Sequence, residues 1–260
     1  MMVVMVNVVL TSSVSADLEY VDFSSSGFLN LVDNASVNSD RLRLTQASAW
    51  NKGAVWYDQK QNVQNGFDTT FKFQITEKDP VYNGADGFAF VIQNESSTAI
   101  GRFGQPGYGS YTIEETNGIP NSIAIEFDTY NNWNLGDPGD NHISVQSRGL
   151  LPNCTDHEYS YGVTSNISDL NDGNVHTARI LYSGDLLSVF LNDLSNPCLS
   201  VNLDMANILQ LDSGTSWVGF TSGTGSGYEN HDIIDWSFTE VPEPATMFLL
   251  GLGGLLLRKK

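Results

Sequence analysis

Glu126 and Asp128 stand two residues apart in Ile125-Glu126-Phe127-Asp128, and a run of ligand-type residues follows them. Tyr130 can offer a backbone carbonyl, Asn132 an amide, Asp137 a carboxylate and His142 an imidazole. Side chains alternate between faces along a strand, so both acids share one face while Ile123, Ile125 and Phe127 enter a core. Oxygen donors suit a calcium ion, and an imidazole among them suits a neighbouring transition metal. Each carboxylate has two oxygens, so Asp128 and Asp137 could serve two paired ions at once. Any one of these residues alone would ordinarily be solvent surface. Six ligand-type residues within the seventeen positions from Glu126 to His142 argue for a site.

Those residues need a rigid frame, and the alternation along the chain supplies one. Strands are expected at Ala54–Tyr57, Phe67–Thr76, Gly87–Gln93, Ser122–Thr129, His142–Gln146, Thr177–Tyr182, Leu186–Leu191, Ser200–Leu203, Ser216–Thr221 and Ile233–Glu240. Most alternate with period two between Gly, Asn, Asp or Pro boundaries. Phe67, Thr69, Phe71, Phe73 and Ile75 share one face opposite polar residues, the pattern of an antiparallel sheet with one side on a core. Many strands at this spacing predict an all-β fold, a two-sheet antiparallel jelly-roll sandwich. A short helix is expected at Asp204–Leu209. Three loops connect these strands: Asn94–Asn117, rich in glycine and aromatics, Asn131–Asn141, and Ser222–Asn230.

Composition agrees. The 260 residues are 40% hydrophobic and only 16% charged, with 24 glycines, enough for one well-filled β domain. The net charge of −18 excludes a nucleic-acid partner, since nothing here could neutralise phosphates. It fits calcium and neutral glycans, and much of it serves solubility. Cys154 and Cys198 are expected to close a disulfide in an oxidising compartment, although two buried thiols are the alternative. No Cys-x-x-Cys pair is present for zinc or redox work.

The two ends read as address labels. Residues 1–16 are apolar and finish Val14-Ser15-Ala16, a small-residue exit resembling a signal-peptidase site, though a basic start is missing. Residues 241–260 combine Val241-Pro242-Glu243-Pro244, a short apolar run from Met247 to Leu257, and Arg258-Lys259-Lys260. That tripartite tail resembles the PEP-CTERM sorting signal of Gram-negative bacteria. The resemblance implies transient retention in the inner membrane, cleavage by an exosortase-type protease, and release at the cell surface or outside it. Losing residues 242–260 removes three basic residues and one acidic, leaving 9 against 29 and a mature charge of −20.

Between the ends, residues 17–240 resemble the legume-type (L-type) lectins. The segment from Glu126 to His142 matches that family's Glu-x-Asp-x-Tyr/Phe-x-Asn, Asp-Pro and His-Ile order. Gly84-Ala85-Asp86-Gly87 looks like its Ala-Asp-Gly strand entry. Trp217-Val218-Gly219-Phe220 and Ile233-Ile234-Asp235-Trp236 look like its closing strands. The resemblance implies a concanavalin-like jelly roll with Asp128, the Tyr130 carbonyl, Asn132 and Asp137 on Ca2+. It implies Glu126, Asp128, Asp137 and His142 on a transition metal, usually Mn2+, with Ser147 the nearest counterpart to a serine that acts through water. Sugar contacts would come from Asp86, Asn132, the Tyr130 ring, a backbone N–H at Gly104 or Gly107, and Gly225 in the Ser222–Asn230 loop. The Ala85–Asp86 peptide would be cis. A monosaccharide would bind at about 0.1–1 mM, so a homo-oligomer or other multivalent display would be needed for firm attachment to a glycan or exopolysaccharide.

Two other readings compete. Laminarinase-like hydrolases share the jelly roll and carry Glu-x-Asp-x-x-Glu, in which both glutamates are catalytic. Here the second glutamate would fall on Asn131 or Asn132, neither of which can donate a catalytic proton, so the chain is not expected to be an enzyme by this motif. A matrix or adhesion protein that uses the same fold and calcium for cohesion is the remaining alternative.

Overall fold

The computed structural model describes residues 18–241; the expected leader and the tail from Pro242 onward lie outside the described residues. In chain order the strands are β1 (Leu18–Tyr20), β2 (Leu29–Asp33), β3 (Ser36–Asn38), β4 (Arg41–Thr45), β5 (Lys52–Tyr57), β6 (Gln61–Asn62), β7 (Phe67–Thr76) and β8 (Gly87–Gln93). They continue as β9 (Ser122–Asp128), β10 (His142–Gln146), β11 (Ser160–Thr164), β12 (Val175–Ser183), β13 (Leu186–Leu191), β14 (Leu199–Asn202), β15 (Thr215–Gly223) and β16 (Asn230–Glu240). One sheet runs β14-β13-β12-β7-β16-β4-β3, with β1 on β16. The other runs β11-β10-β9-β8-β15-β5-β2, with β6 on β15. Every strand pairing is antiparallel, as a jelly-roll sandwich requires.

The alternation read from β7 is realised directly. Its burial strictly alternates, with Phe67, Thr69, Phe71, Phe73 and Ile75 inside. Phe71 lies 5.0 Å from Phe220, 5.8 Å from Phe127 and 6.2 Å from both Phe88 and Phe90, ring centre to ring centre. Edge-on and offset aromatic pairs of this kind add about 0.5–1.5 kcal/mol each beyond area burial. The inter-sheet core is therefore a phenylalanine lattice that joins β7 to β8, β9 and β15.

A second layer distinguishes the site-bearing sheet. Strands β8, β9 and β10 are buried at every position, on both faces. The outer face is covered by the chain between β8 and β9, where Ala99, Tyr108 and Ile119 pack on Ala54, Trp56, Ala89, Val91 and Ala124. The cover lies so close that a Cβ at Gly107 (φ +81°) would stand 2.4 Å from the Ser222 carbonyl oxygen, which only glycine permits. The glycine-rich Asn94–Asn117 loop is thus largely a lid on the sheet.

The expected helix forms as one turn, Met205–Ile208, with Asp204 capping the Asn207 N–H at 3.1 Å. The expected disulfide does not form. Cys154 is buried, bridged to Ser110 outside the sandwich core, whereas Cys198 precedes β14 in the opposite sheet and points its thiol at the Val189 carbonyl. No helix among the described residues is long and apolar enough to cross a membrane.

Replacing Phe71 by alanine removes the ring shared by all those pairs. The expected loss is about 3–5 kcal/mol, the range for phenylalanine truncation in a close-packed core. Urea unfolding followed by tryptophan fluorescence measures it; a loss below 1 kcal/mol would show that the lattice is not the fold's main anchor.

Candidate functional site

The covered face of β8, β9 and β10 is where the acids meet. Pairing sets His142 opposite Asp128 and Ser144 opposite Glu126, so all four side chains project from one face. Gly87 pairs with Asp128 from the other side, and a Cβ there would meet the Phe127 carbonyl oxygen at 2.2 Å. Glu126 is buried and accepts from Tyr108 Oη at 3.0 Å and Ser144 Oγ at 2.7 Å. Neither donor follows from the motif. Tyr108 arrives from the covering loop, and Ser144 becomes visible only through strand register. Ser147, the expected serine, instead donates to the Ser122 carbonyl and is not part of the group.

The loop after β9 folds back over these acids. Asp128 Oδ1 accepts the Tyr130 N–H at 2.7 Å, and Asp137 Oδ2 accepts the Asn132 N–H at 2.5 Å. The Asn132 side chain makes no capping bond to the one-turn helix Trp133–Leu135 that follows. Asp128, Asp137 and His142 form one group of potential ligand atoms, and Glu126, His142 and His157 form a second. His157 is a member no spacing rule had suggested. It sits in a one-turn helix between β10 and β11, with Nε2 3.1 Å from His142 Nε2.

Electrostatics explain why such a cluster asks for cations. Among the described ion pairs, no lysine or arginine reaches Asp86, Glu126, Asp128 or Asp137. Burial holds Asp128 well above the usual carboxylate range, and the charges of Glu126 and Asp137 add to it. Burial pushes Asp137 up to about 7, opposed by the Asn132 N–H and reinforced by Glu126. Glu126 goes the other way. Burial opposes its ionisation, but His142, His157 and Ser144 together bring it below its ordinary value. His142 rises in turn, because the bond and charge of Glu126 outweigh its own desolvation. The donor set fits hard cations beside an imidazole-tolerant one, since carboxylates and imidazole nitrogens converge with no lysine or arginine among the described ion pairs to neutralise them.

Asp86 lies at the mouth of this layer. The peptide before it is cis, as the sequence motif implied. Its N–H is held by the Gly223 carbonyl at 3.1 Å, while Oδ2 is buried with no protein partner. A Cβ on Gly225 would stand 3.4 Å from that oxygen, so Gly225 does lie beside Asp86. The two expected N–H donors are corrected. Gly104 gives its N–H to the Thr224 carbonyl at 3.0 Å, and Gly107 is buried against β15. Exposed Trp50 and Phe103, stacked edge-on at 5.7 Å, flank this mouth: Trp50 bonds to the Gly225 carbonyl, and Phe103 precedes Gly104. Neither aromatic was singled out from sequence, because neither lies in a motif.

Comparison with known proteins gives this geometry a family. The legume lectin domain model matches residues 15–248, and the PEP-CTERM protein-sorting motif matches residues 240–260. A probable L-type lectin-domain receptor kinase S.7 of Arabidopsis thaliana is 32% identical over 202 residues, 73% of this chain and 28% of the kinase. The chain therefore spans little more than a quarter of that relative. Agglutinin-2 of Cladrastis kentukea is 27% identical over 234 residues, covering 81% of this chain and 75% of the agglutinin. The Bauhinia forficata lectin, solved in complex with GalNAc, superposes with a TM-score of 0.68 at 24% identity, over 87% of this chain and 99% of that one.

The raised carboxyls set a pH dependence. In the metal-free fold Asp137 keeps its proton up to about pH 7, whereas the unfolded chain releases it near 3.8. Across that window rising pH favours the unfolded state, and the full penalty is present above pH 7. A cation that replaces the protons removes the penalty, so calcium should bind more tightly at pH 8 than at pH 6 and release protons on binding. Calorimetry in buffers of different ionisation enthalpy reads the released protons. Melting curves with calcium and with EDTA should diverge further at pH 8 than at pH 6. An equal gap at both would mean that Asp128 and Asp137 do not hold the ion.

Proposed function

The chain belongs to the legume lectin domain family, and from that premise we propose that it is an exported carbohydrate-binding protein whose grip depends on calcium. The observation that carries this reading is Asp86, with one buried oxygen unpartnered beside Gly225 and a cluster of ligand-type carboxylates behind it. A sugar's adjacent hydroxyls would donate to Asp86, and bonds to an ionised acceptor are roughly twice as strong as neutral ones. In the metal-free protein Asp86 is held well above the carboxylate range by burial, then by Glu229 and Asp137. A calcium ion on Asp128, Asp137, the Tyr130 carbonyl and Asn132 would offset the Asp137 charge, the smallest of the three causes that hold Asp86 up, and so favour its ionised form. That is the ion's contribution: positive charge and a fixed loop, with no reaction to perform.

The remaining contacts follow from position. Asn132 would donate its side-chain amide to a sugar hydroxyl, and Tyr130, Trp50 or Phe103 would cover the apolar face of the ring. Gly104 and Gly225 keep the floor low, because side chains there would fill the space above Asp86. A second ion would rest on Glu126, Asp128, Asp137 and His142 and brace β9 against β10. The ligand class is a neutral glycan or exopolysaccharide, bound weakly per site and firmly only through several copies. Catalysis is no part of this reading, since Asn131 and Asn132 stand where a retaining hydrolase needs a carboxylic acid. The terminal motif supports export, with residues 1–16 as leader and residues 241–260 removed by an exosortase-type protease after transient membrane retention.

A glycan array probed with the protein, with calcium and with EDTA, tests the sugar. Asp86→Asn keeps size but presents an amide where acceptors are needed, so retention of the best ligand should fall by about 2–3 kcal/mol while calcium content holds. Unchanged retention would remove the site, and calcium-driven self-association with a blank array would make a cohesive matrix protein the better reading.

Processing has its own test. Mass spectrometry of the exported protein from a PEP-CTERM-competent host should find chains ending close to Val241. An extracellular species retaining Lys260 would refute cleavage.

A further inference from the structure

His157 has no place in the ligand set that the family resemblance assigns, yet it stands at the centre of the imidazole end of the site. Its Nε2 lies 3.1 Å from His142 Nε2, 3.4 Å from Asp137 Oδ1 and 3.9 Å from Glu126 Oε2. His142 Nε2 is 3.8 Å from the same Glu126 oxygen. His142 is buried, the His157 side chain is 8% exposed, and the two rings meet edge-on, 4.9 Å between centres. Glu126, His142 and His157 thus present two nitrogens and one oxygen to a common point, with an Asp137 oxygen alongside.

The hydrogen-bond pattern prepares these nitrogens for an ion. His142 Nδ1 lies 3.1 Å from the Gly139 carbonyl, which can only accept, so Nδ1 carries the hydrogen and Nε2 of the neutral ring keeps its lone pair. His157 Nδ1 has no protein partner, while its Nε2 faces His142, Asp137 and Glu126, so an ion at that point would take the place of a hydrogen on Nε2. Two nitrogens that share one ion at about 2.0–2.1 Å each span roughly 3.0–3.4 Å at cis-octahedral or tetrahedral angles, which matches the observed gap.

We propose that His157 is a direct ligand of the second ion, so that this site offers two imidazoles with Glu126 and Asp137 and selects a zinc-like divalent ion over manganese. The reason is ligand softness. Imidazole suits zinc, cobalt and nickel, while a shell of oxygens with a single imidazole leaves manganese more competitive, and affinity rises along the series from manganese towards copper. The inference deepens the metal site of the proposed function and rests on that reading. It does not require that any sugar bind.

The experiment uses the full chain stripped by chelator and dialysed against equal concentrations of Zn2+ and Mn2+ with excess Ca2+. Elemental mass spectrometry then counts ions per chain. Wild type should retain zinc and little manganese. Even outer-shell changes cost about 10–100-fold in metal affinity, so His157→Ala should lose zinc affinity by at least that factor and shift the bound ratio towards manganese. Calcium content should hold. His157→Gln, which keeps size and a hydrogen-bonding end, guards against a folding defect and should lose zinc in the same way. The Co2+-loaded protein should change its visible absorption when His157 is replaced. If wild type takes manganese as readily as zinc, and both variants leave the ratio and the cobalt spectrum unchanged, the two histidines are only a hydrogen-bonded pair and the proposal falls. A blank glycan array with zinc still following His157 would sink the sugar reading and leave this one standing.

Discussion

Asp86, Glu126 and Asp128 are buried in one layer with the partly buried Asp137 beside them, and no lysine or arginine among the described ion pairs meets them. Buried charge without compensation is expensive, so each acid must hold a proton, face an imidazole or share a cation. The protein divides these solutions along β9. Glu126 takes the imidazoles and the hydroxyls of Tyr108 and Ser144, and stays ionised. Asp128 and Asp137 take backbone N–H groups and, in the metal-free fold, protons. A cation is the one partner that relieves both at once.

The fold can carry this tension because its stability is vested elsewhere. The phenylalanine lattice lies on the opposite face of the same strands, where Ile123, Ile125 and Phe127 alternate with Ala124, Glu126 and Asp128. No member of the polar layer belongs to the inter-sheet cluster. The loop from Asn94 to Asn117 closes the outer face with close backbone contacts and Tyr108, whose own hydroxyl is held up by burial and by Glu126.

The strands that carry the site were legible because they are bounded by turn residues and dominated by apolar or alternating side chains. β7, β8, β10 and β13 have the limits the sequence pattern predicts. β1, β2, β3, β4, β6 and β11 were not legible, since each is five residues or fewer, too short for its pattern to stand out from the turns around it. At the site, Asp128, Asp137 and His142 could be grouped from spacing because one hairpin-like unit holds them all. His157 could not, because only the fold of the segment between β10 and β11 returns it to His142. The glycines misled in the opposite sense: Gly107 is there to let backbone lie on backbone, a need that sequence alone does not separate from ligand contact.

Asp137 is the residue through which the parts communicate. One of its oxygens holds the Asn132 N–H, which fixes the loop that would present Asn132 to a sugar. The other faces His157 and the imidazole end. Its charge also reaches Asp86. On the proposed reading, a cation on Asp137 would act on the sugar-facing surface by immobilising Asn132 and, to a lesser extent, by offsetting one of the charges that Asp86 feels. On that reading the metal dependence of sugar binding is expected to rest on the shape of the Asn131–Asn141 loop more than on protonation, because burial and Glu229 weigh on Asp86 more than Asp137 does.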